Sequence, residues 1–431
     1  MRGPARPGRA GLAAILLLAV VPPAAAQEIA IVGGMVHPVS GPPVARATVL
    51  VQDGRIVAVG PDVEAPASAR VIDATGKVVT PGFFDPWSSI GLVEIDLVRS
   101  TRDERLADEE DPITAAFDPL YGLNPRSTLI PWARTGGVTT VATGPRGGLI
   151  AGQASVIDLL GETPGEMLAE PGAAMIAALG EDGVASAGGA RGGAALRLRE
   201  VLEDARFWAA RRAAFDAGDS RELSESRLDL AALQPVLAGE IPLLVQVHRA
   251  SDILAVLALA REYGFRPVIV GGAEAWMVAR ELAAADAPVI LKPITSLPSA
   301  FERLGARFDN AALLARAGVR VAFSTFENHR AAAIAQEAGN AVRFGLDPEA
   351  ALRAVTLAPA QIYGVADRYG SVEPGKVANL IVWPGDPFET ATLPETVLVR
   401  GRLVPMRSRQ TDLLERYRNL EEGLPPAYRH K

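Results

Sequence analysis

The chain has 431 residues, of which 49% are hydrophobic, 22% charged and 5% aromatic, and its formal net charge is −7. That balance excludes a disordered chain and allows one large domain or two to three smaller ones, and an acidic surface argues against nucleic acid or an anionic membrane as partner. There is no cysteine, which excludes disulfides, thiolate metal ligands, a cysteine nucleophile and lipid attached through sulfur.

Residues 1–26 read as a leader. Arg2, Arg6 and Arg9 make a basic start, and Gly11 to Val21 is an apolar run too short to span a bilayer comfortably. Ala24-Ala25-Ala26 then offers a cleavage site before Gln27. The expectation is an exported protein, in a bacterial periplasm, with no membrane contact once the leader is gone. Short β-branched runs follow at Ala30 to Val32, Thr48 to Gln52, Arg55 to Val59 and Val78 to Thr80, with Asp53-Gly54 as a hairpin turn.

After Pro81-Gly82 the pattern changes. Thr139 to Thr143, Ile241 to Val247, Pro267 to Val270, Pro288 to Leu291 and Val319 to Ser324 read as buried strands. Helical stretches stand between the later ones, at Asp252 to Tyr263, Glu274 to Ala284, Asn310 to Ala317 and Ala331 to Phe344. Such alternation predicts a parallel sheet with helical crossovers, and its length suits a (β/α)8 barrel of the TIM type with insertions. Ser251-Asp252 and Asp347-Pro348-Glu349 are helix-start signals, and Gly264 and Gly318 are helix-end signals. Residues 94–111 are crowded with charge and read as a solvated excursion. The Gly- and Ala-rich stretch Gly183 to Ala194 reads as a mobile loop.

Strand signals return at Ala378 to Trp383 and Thr396 to Val399, then a turn at Arg400-Gly401-Arg402 and a returning Leu403-Val404. The expected organisation is an α/β protein in four parts. Residues 27–81 and 371–407 form a composite β-sandwich built from both termini, 82–370 the barrel, and 408–431 a tail with a short helix at Thr411 to Tyr417.

Five segments carry a resemblance. They are Ile56-Val57-Ala58-Val59-Gly60; Val71-Ile72-Asp73-Ala74-Thr75-Gly76-Lys77-Val78-Val79-Thr80-Pro81-Gly82-Phe83-Phe84-Asp85; and Gly136-Gly137-Val138-Thr139-Thr140. Ala354-Val355-Thr356-Leu357-Ala358-Pro359-Ala360 and Gly370-Ser371-Val372-Glu373-Pro374-Gly375-Lys376-Val377-Ala378-Asn379-Leu380-Ile381-Val382 complete the set. In this order they resemble the imidazolonepropionase-like branch of the amidohydrolase superfamily. The resemblance implies a barrel carrying a β-sandwich, and a hydrolase of carbon–nitrogen bonds in small or dipeptide-like molecules. It also implies zinc or another divalent ion at the C-terminal ends of the barrel strands, turning bound water into hydroxide.

The residues depart from that pattern. The family has two histidines one residue apart after its first barrel strand, and here Trp87 and Ser89 stand in their places. His248 ends the fifth strand, where the family keeps a ligand. Gly271 falls where the sixth strand's histidine is expected, and Phe326 where the eighth strand's aspartate is expected, with Glu327 next to it. The chain has only four histidines, His37, His248, His329 and His430. An indole offers no lone pair to a metal and a hydroxyl is a poor ligand beside imidazole, so no metal or other cofactor is assigned.

The catalytic candidates are His248, Glu327 and Asp85, and the expected pocket residues are Trp87, Ser89, Gly271, Lys292, Phe326 and His329. His248 reads equally as a residual ligand, a general base, a binding residue or a hydrogen-bonded strand-end histidine. Glu327 and His329 would either rebuild a metal site with His248 or lie on a solvated loop. Asp85 reads as a strand brace and Lys292 as a salt-bridged barrel residue. Trp87 would fill the void or stack on a ligand.

Three functions remain open: a metal-poor hydrolase, an inactive subunit or regulator (a pseudoenzyme) paired with an intact paralogue, and a periplasmic binder of a small molecule. The first predicts an open pocket faced by His248, and the second a cavity filled by Trp87 and Phe326. The third predicts an open pocket without clustered titratable groups. A homo-oligomer is an expectation from the resemblance alone.

Overall fold

The computed structural model describes residues 28–106 and 111–418. The leader reading and His430 lie outside the described residues.

Two sheets organise the molecule. The first contains β1 (Ile29–Val36), β2 (Val44–Gln52), β3 (Arg55–Gly60), β4 (Arg70–Asp73) and β5 (Val78–Pro81). The turn between β2 and β3 is Asp53-Gly54, with φ of 49° and 78°. Positive φ at both positions matches the twist of the flanking strands, which is why the Asp-Gly pair marks it.

The barrel strands are β6 (Phe83–Ser88), β7 (Val138–Thr143), β8 (Ile150–Asp158), β9 (Leu168–Ala178), β10 (Pro242–Val247), β11 (Arg266–Gly271), β12 (Val289–Leu291) and β13 (Val321–Phe323). They pair in chain order into one eight-stranded sheet. Its two ends meet at a seam where the Ser324 hydroxyl donates to the Trp87 carbonyl at 3.0 Å. Strands β14 (Leu380–Trp383), β15 (Thr396–Val399) and β16 (Arg402–Leu403) then join the first sheet, where β14 pairs antiparallel with β5. The two chain ends therefore share a sheet, as the sequence implies.

Most barrel pairs are parallel, but β8 runs antiparallel to both β7 and β9. Residues 144–149 leave no room for a helical crossover, so the chain must turn straight back. Two local expectations are corrected. The stretch Gly183 to Ala194 contributes to helices Glu181–Ser186 and Arg191–Ala210. The helix expected to be capped by Ser251-Asp252 already starts at Ala250; its N-cap residue Arg249 makes no side-chain cap, and Glu274 accepts from the Ala250 amide at 3.0 Å instead. By contrast, Asp347 does cap Pro348–Ala354 by accepting from the Ala350 amide. Gly264 and Gly318 take the left-handed conformation expected of helix ends.

Candidate functional site

A cavity of about 740 Å³ opens where the C-terminal ends of the barrel strands converge. Trp87 reaches it from the end of β6 and Ser89 from just beyond it, Arg146 from the β7–β8 turn, and Phe326 and Glu327 from beyond β13. Trp87 and Phe326 line the cavity without closing it, their rings tilted with centroids 6.3 Å apart.

Arg146 is the residue that sequence reasoning missed. Its guanidinium carbon lies 4.0 Å from the centre of the Trp87 ring, and its Nε donates to Ser89 Oγ at 3.3 Å. Burial lowers its pKa to about 10, against the pull of Asp85, Tyr363 and Glu104, so it remains a cation at neutral pH. Asp85 lies close by and is 1% exposed. Its Oδ1 accepts from the Trp87 amide at 3.0 Å. Burial raises its carboxyl from 3.8 to about 6, while Ser324, the Trp87 amide and Arg146 oppose the rise. It is thus a strand brace whose charge Arg146 helps to hold.

The charged run 94–111 is not all solvated. Glu104 is buried, its Oε1 accepting from Arg102 at 2.9 Å and from Arg105 at 3.1 Å. Its backbone carbonyl accepts the Arg146 amide at 2.9 Å. Residues 94–106 are therefore pinned to the β7–β8 turn and, with Asp111, form one wall of the cavity; residues 107–110 of the run lie outside the described residues.

His248 sits at the end of β10 but is not a wall of this cavity. Arg303 Nη donates to its Nε2 at 2.9 Å. The ring proton therefore belongs on Nδ1, which is buried and has no partner among the described residues. Burial, and then the Arg303 charge, lowers its pKa to about 3, leaving a neutral imidazole whose free lone pair is already taken. The ring fills the space over Gly271, where an added Cβ would meet His248 Cε1 at 2.2 Å. At φ +94° that position is itself one glycine favours.

Glu327 accepts from Lys292 and lies 3.3 Å from His329 Nε2, whose Nδ1 is 3.3 Å from Asp96. Burial would raise the Glu327 pKa, but the Lys292 hydrogen bond and nearby charges bring it below the ordinary value. Lys292 is thus salt-bridged, as expected. Neither Lys292, Gly271 nor His329 is a wall of the cavity, which corrects their reading as pocket residues. Glu327 and His329 meet at the rim, while His248 is held apart by Arg303. His37 pairs with Glu349 far from the mouth. Among the described residues, no group of three or more His, Cys, Asp or Glu side chains is placed to hold a metal ion.

The family model described as "Amidohydrolase family" matches residues 247–404. The crystal structure of an amidohydrolase from Thermotoga maritima MSB8 is similar at a TM-score of 0.80 and 32% identity, over 88% of this chain and 100% of that one. Amidohydrolase tasK of Hapsidospora irregularis is 25% identical over 387 residues, which is 82% of this chain and only 39% of that longer protein. The imidazolonepropionase of Yersinia pestis (strain Pestoides F) is 43% identical over 68 residues, 14% of this chain and 17% of that protein.

Proposed function

Because the chain belongs to the amidohydrolase superfamily, we propose that it is a divergent member whose barrel mouth binds a small molecule and has weak or no metal-dependent hydrolysis of carbon–nitrogen bonds. One observation carries this reading. By the resemblance, Trp87 and Ser89 stand where the family has its paired histidines, and both engage the Arg146 guanidinium. A guanidinium has five donors and no acceptor, and its charge repels a divalent ion. This donor set does not fit the metal.

The groups that remain can bind and orient. Arg146 presents N–H donors to an oxygen atom, Trp87 gives a flat apolar face, and the Glu104 wall limits the space. The open cavity favours a binding role over that of an inactive subunit, for which Trp87 and Phe326 would fill the mouth. It also disfavours a hydrolase built on His248, which does not reach the cavity. The charged walls depart from the simplest binder, and they supply polarity for ligand selection.

The test is hydrolysis of Ala-Pro and N-acetylated amino acids by protein treated with chelator and then supplied with zinc. The expected result is no zinc-stimulated and no chelator-sensitive turnover, and turnover that appears with zinc and vanishes on chelation would overturn the reading. We propose export on the strength of the leader pattern. N-terminal sequencing of the mature protein tests it, with Gln27 expected first and an intact Met1 contradicting it.

A further inference from the structure

The three arginines that line the cavity are not equivalent. Arg102 and Arg105 both spend their charge on Glu104. Arg146, among the described residues, has no carboxylate hydrogen-bonded to it. Its backbone N–H is anchored on Glu104, its Nε on Ser89 and its plane on Trp87. What is left over is the pair of terminal nitrogens, neither of which donates to an acceptor among the described residues. They form a fixed planar fork at the wall of a cavity large enough for a small organic molecule.

Asp85 and Glu104 offset part of the Arg146 charge through space, but neither accepts from its terminal nitrogens, so in a partly dehydrated site an anion that accepts from both is favoured. A carboxylate matches the fork with two parallel N–H···O bonds. The outer wall carries the opposite sign, with Asp96, Asp111, Asp182 and Glu327 all facing the cavity. Coulomb repulsion from these acids disfavours an anion with several charges. The selection is therefore for a single carboxylate on a small body that is neutral or cationic at its other end.

We infer that the barrel mouth is a recognition site for small monocarboxylates, seated bidentately on Arg146 with the body of the ligand against Trp87. This rests on the proposed metal-poor binding role and names its ligand class. Arg146 is then a specificity-determining residue. The Trp87 ring is the platform that holds the guanidinium in plane, and it lines the cavity in which the ligand would sit.

The experiment is calorimetric titration of the full chain with N-acetylglycine, its neutral amide N-acetylglycinamide, and the tricarboxylate citrate. N-Acetylglycine is expected to bind at least tenfold more tightly than the other two. Arg146→Gln is expected to weaken N-acetylglycine at least tenfold while leaving the amide unchanged, and Arg146→Lys to recover only part of the loss, since an ammonium cannot form the fork. Ser89→Ala, which removes the Nε anchor and leaves the guanidinium itself in place, is expected to weaken the acid severalfold and serves as the second variant if Arg146→Gln does not fold.

Equal binding of acid and amide, or acid binding untouched by Arg146→Gln and Ser89→Ala, would overturn the inference and leave the binding role standing. No heat with N-acetylglycine would overturn it as well. Acid binding that requires added zinc would instead overturn the metal-poor reading on which it rests.

Discussion

Replacing Asp85 by asparagine should stabilise the protein above neutral pH and have little effect near pH 4. Asp85 is 1% exposed, and burial raises its pKa from 3.8 to about 6. A folded-state carboxyl that binds its proton more tightly than the unfolded chain costs stability as pH rises. The cost is absent below pH 3.8, grows between 3.8 and about 6, and is complete above that. The separation corresponds to roughly 3 kcal/mol at about 1.4 kcal/mol per pH unit. Asparagine keeps an oxygen for the Trp87 amide and has no charge to desolvate. Urea unfolding of both proteins between pH 4 and 8 measures the difference. The reasoning predicts a gap that opens with pH to about 2–3 kcal/mol in favour of Asp85→Asn. A gap that is flat with pH, or a variant less stable at pH 8, would refute it.

Other substitutions test other parts of the architecture. Gly271→Ala introduces a Cβ 2.2 Å from His248 Cε1 at φ +94°, and should lower unfolding free energy by about 2–4 kcal/mol; a change within 0.5 kcal/mol would mean that His248 lies elsewhere. Asp158, 1% exposed, accepts from Asn379 at 2.8 Å, Tyr369 at 3.0 Å and Thr140 at 3.1 Å, and Arg400 lies 3.4 Å away. Asp158→Ala strands these partners between barrel and terminal sheet, and chemical denaturation should report a loss of roughly 3–5 kcal/mol. Arg303→Ala removes a cation from His248. In an NMR titration the His248 pKa should rise from about 3 without reaching the ordinary value, because burial, the larger cause, persists; an unchanged value would contradict the Arg303 contact.

The strands from β10 onward were legible because each is a contiguous β-branched or apolar run such as Leu243-Leu244-Val245 or Val268-Ile269-Val270, the signature of strands buried on both faces. Strand β8 was not. Its start, Ile150-Ala151-Gly152-Gln153-Ala154, is small and mixed, and its antiparallel direction follows from the shortness of the 144–149 turn, not from any run of residues. The placing of Trp87 and Ser89 where the resemblance expects histidines rests on the flanking motif residues, which fix the register. Arg146 was not, since an arginine in Gly144-Pro145-Arg146-Gly147-Gly148 reads as a surface turn until the neighbouring strands place it against Trp87. The single usable signal was that the turn follows a barrel strand on the functional face. His248 was found, but its engagement by Arg303, 55 residues away, depends on how the loop after β12 folds back, which local sequence does not encode. Glu104 was hidden among ten other charges in its run, with nothing local to separate the buried acid from solvated ones.

The most direct test of the central claim is the metal content of the purified protein, by elemental analysis after dialysis against zinc and then against buffer. The account predicts far less than one ion per chain, unchanged by Glu327→Gln or His329→Gln. About one tightly held ion per chain, as a site with three or four protein ligands retains, would contradict it, and its loss in either variant would locate the site at the rim.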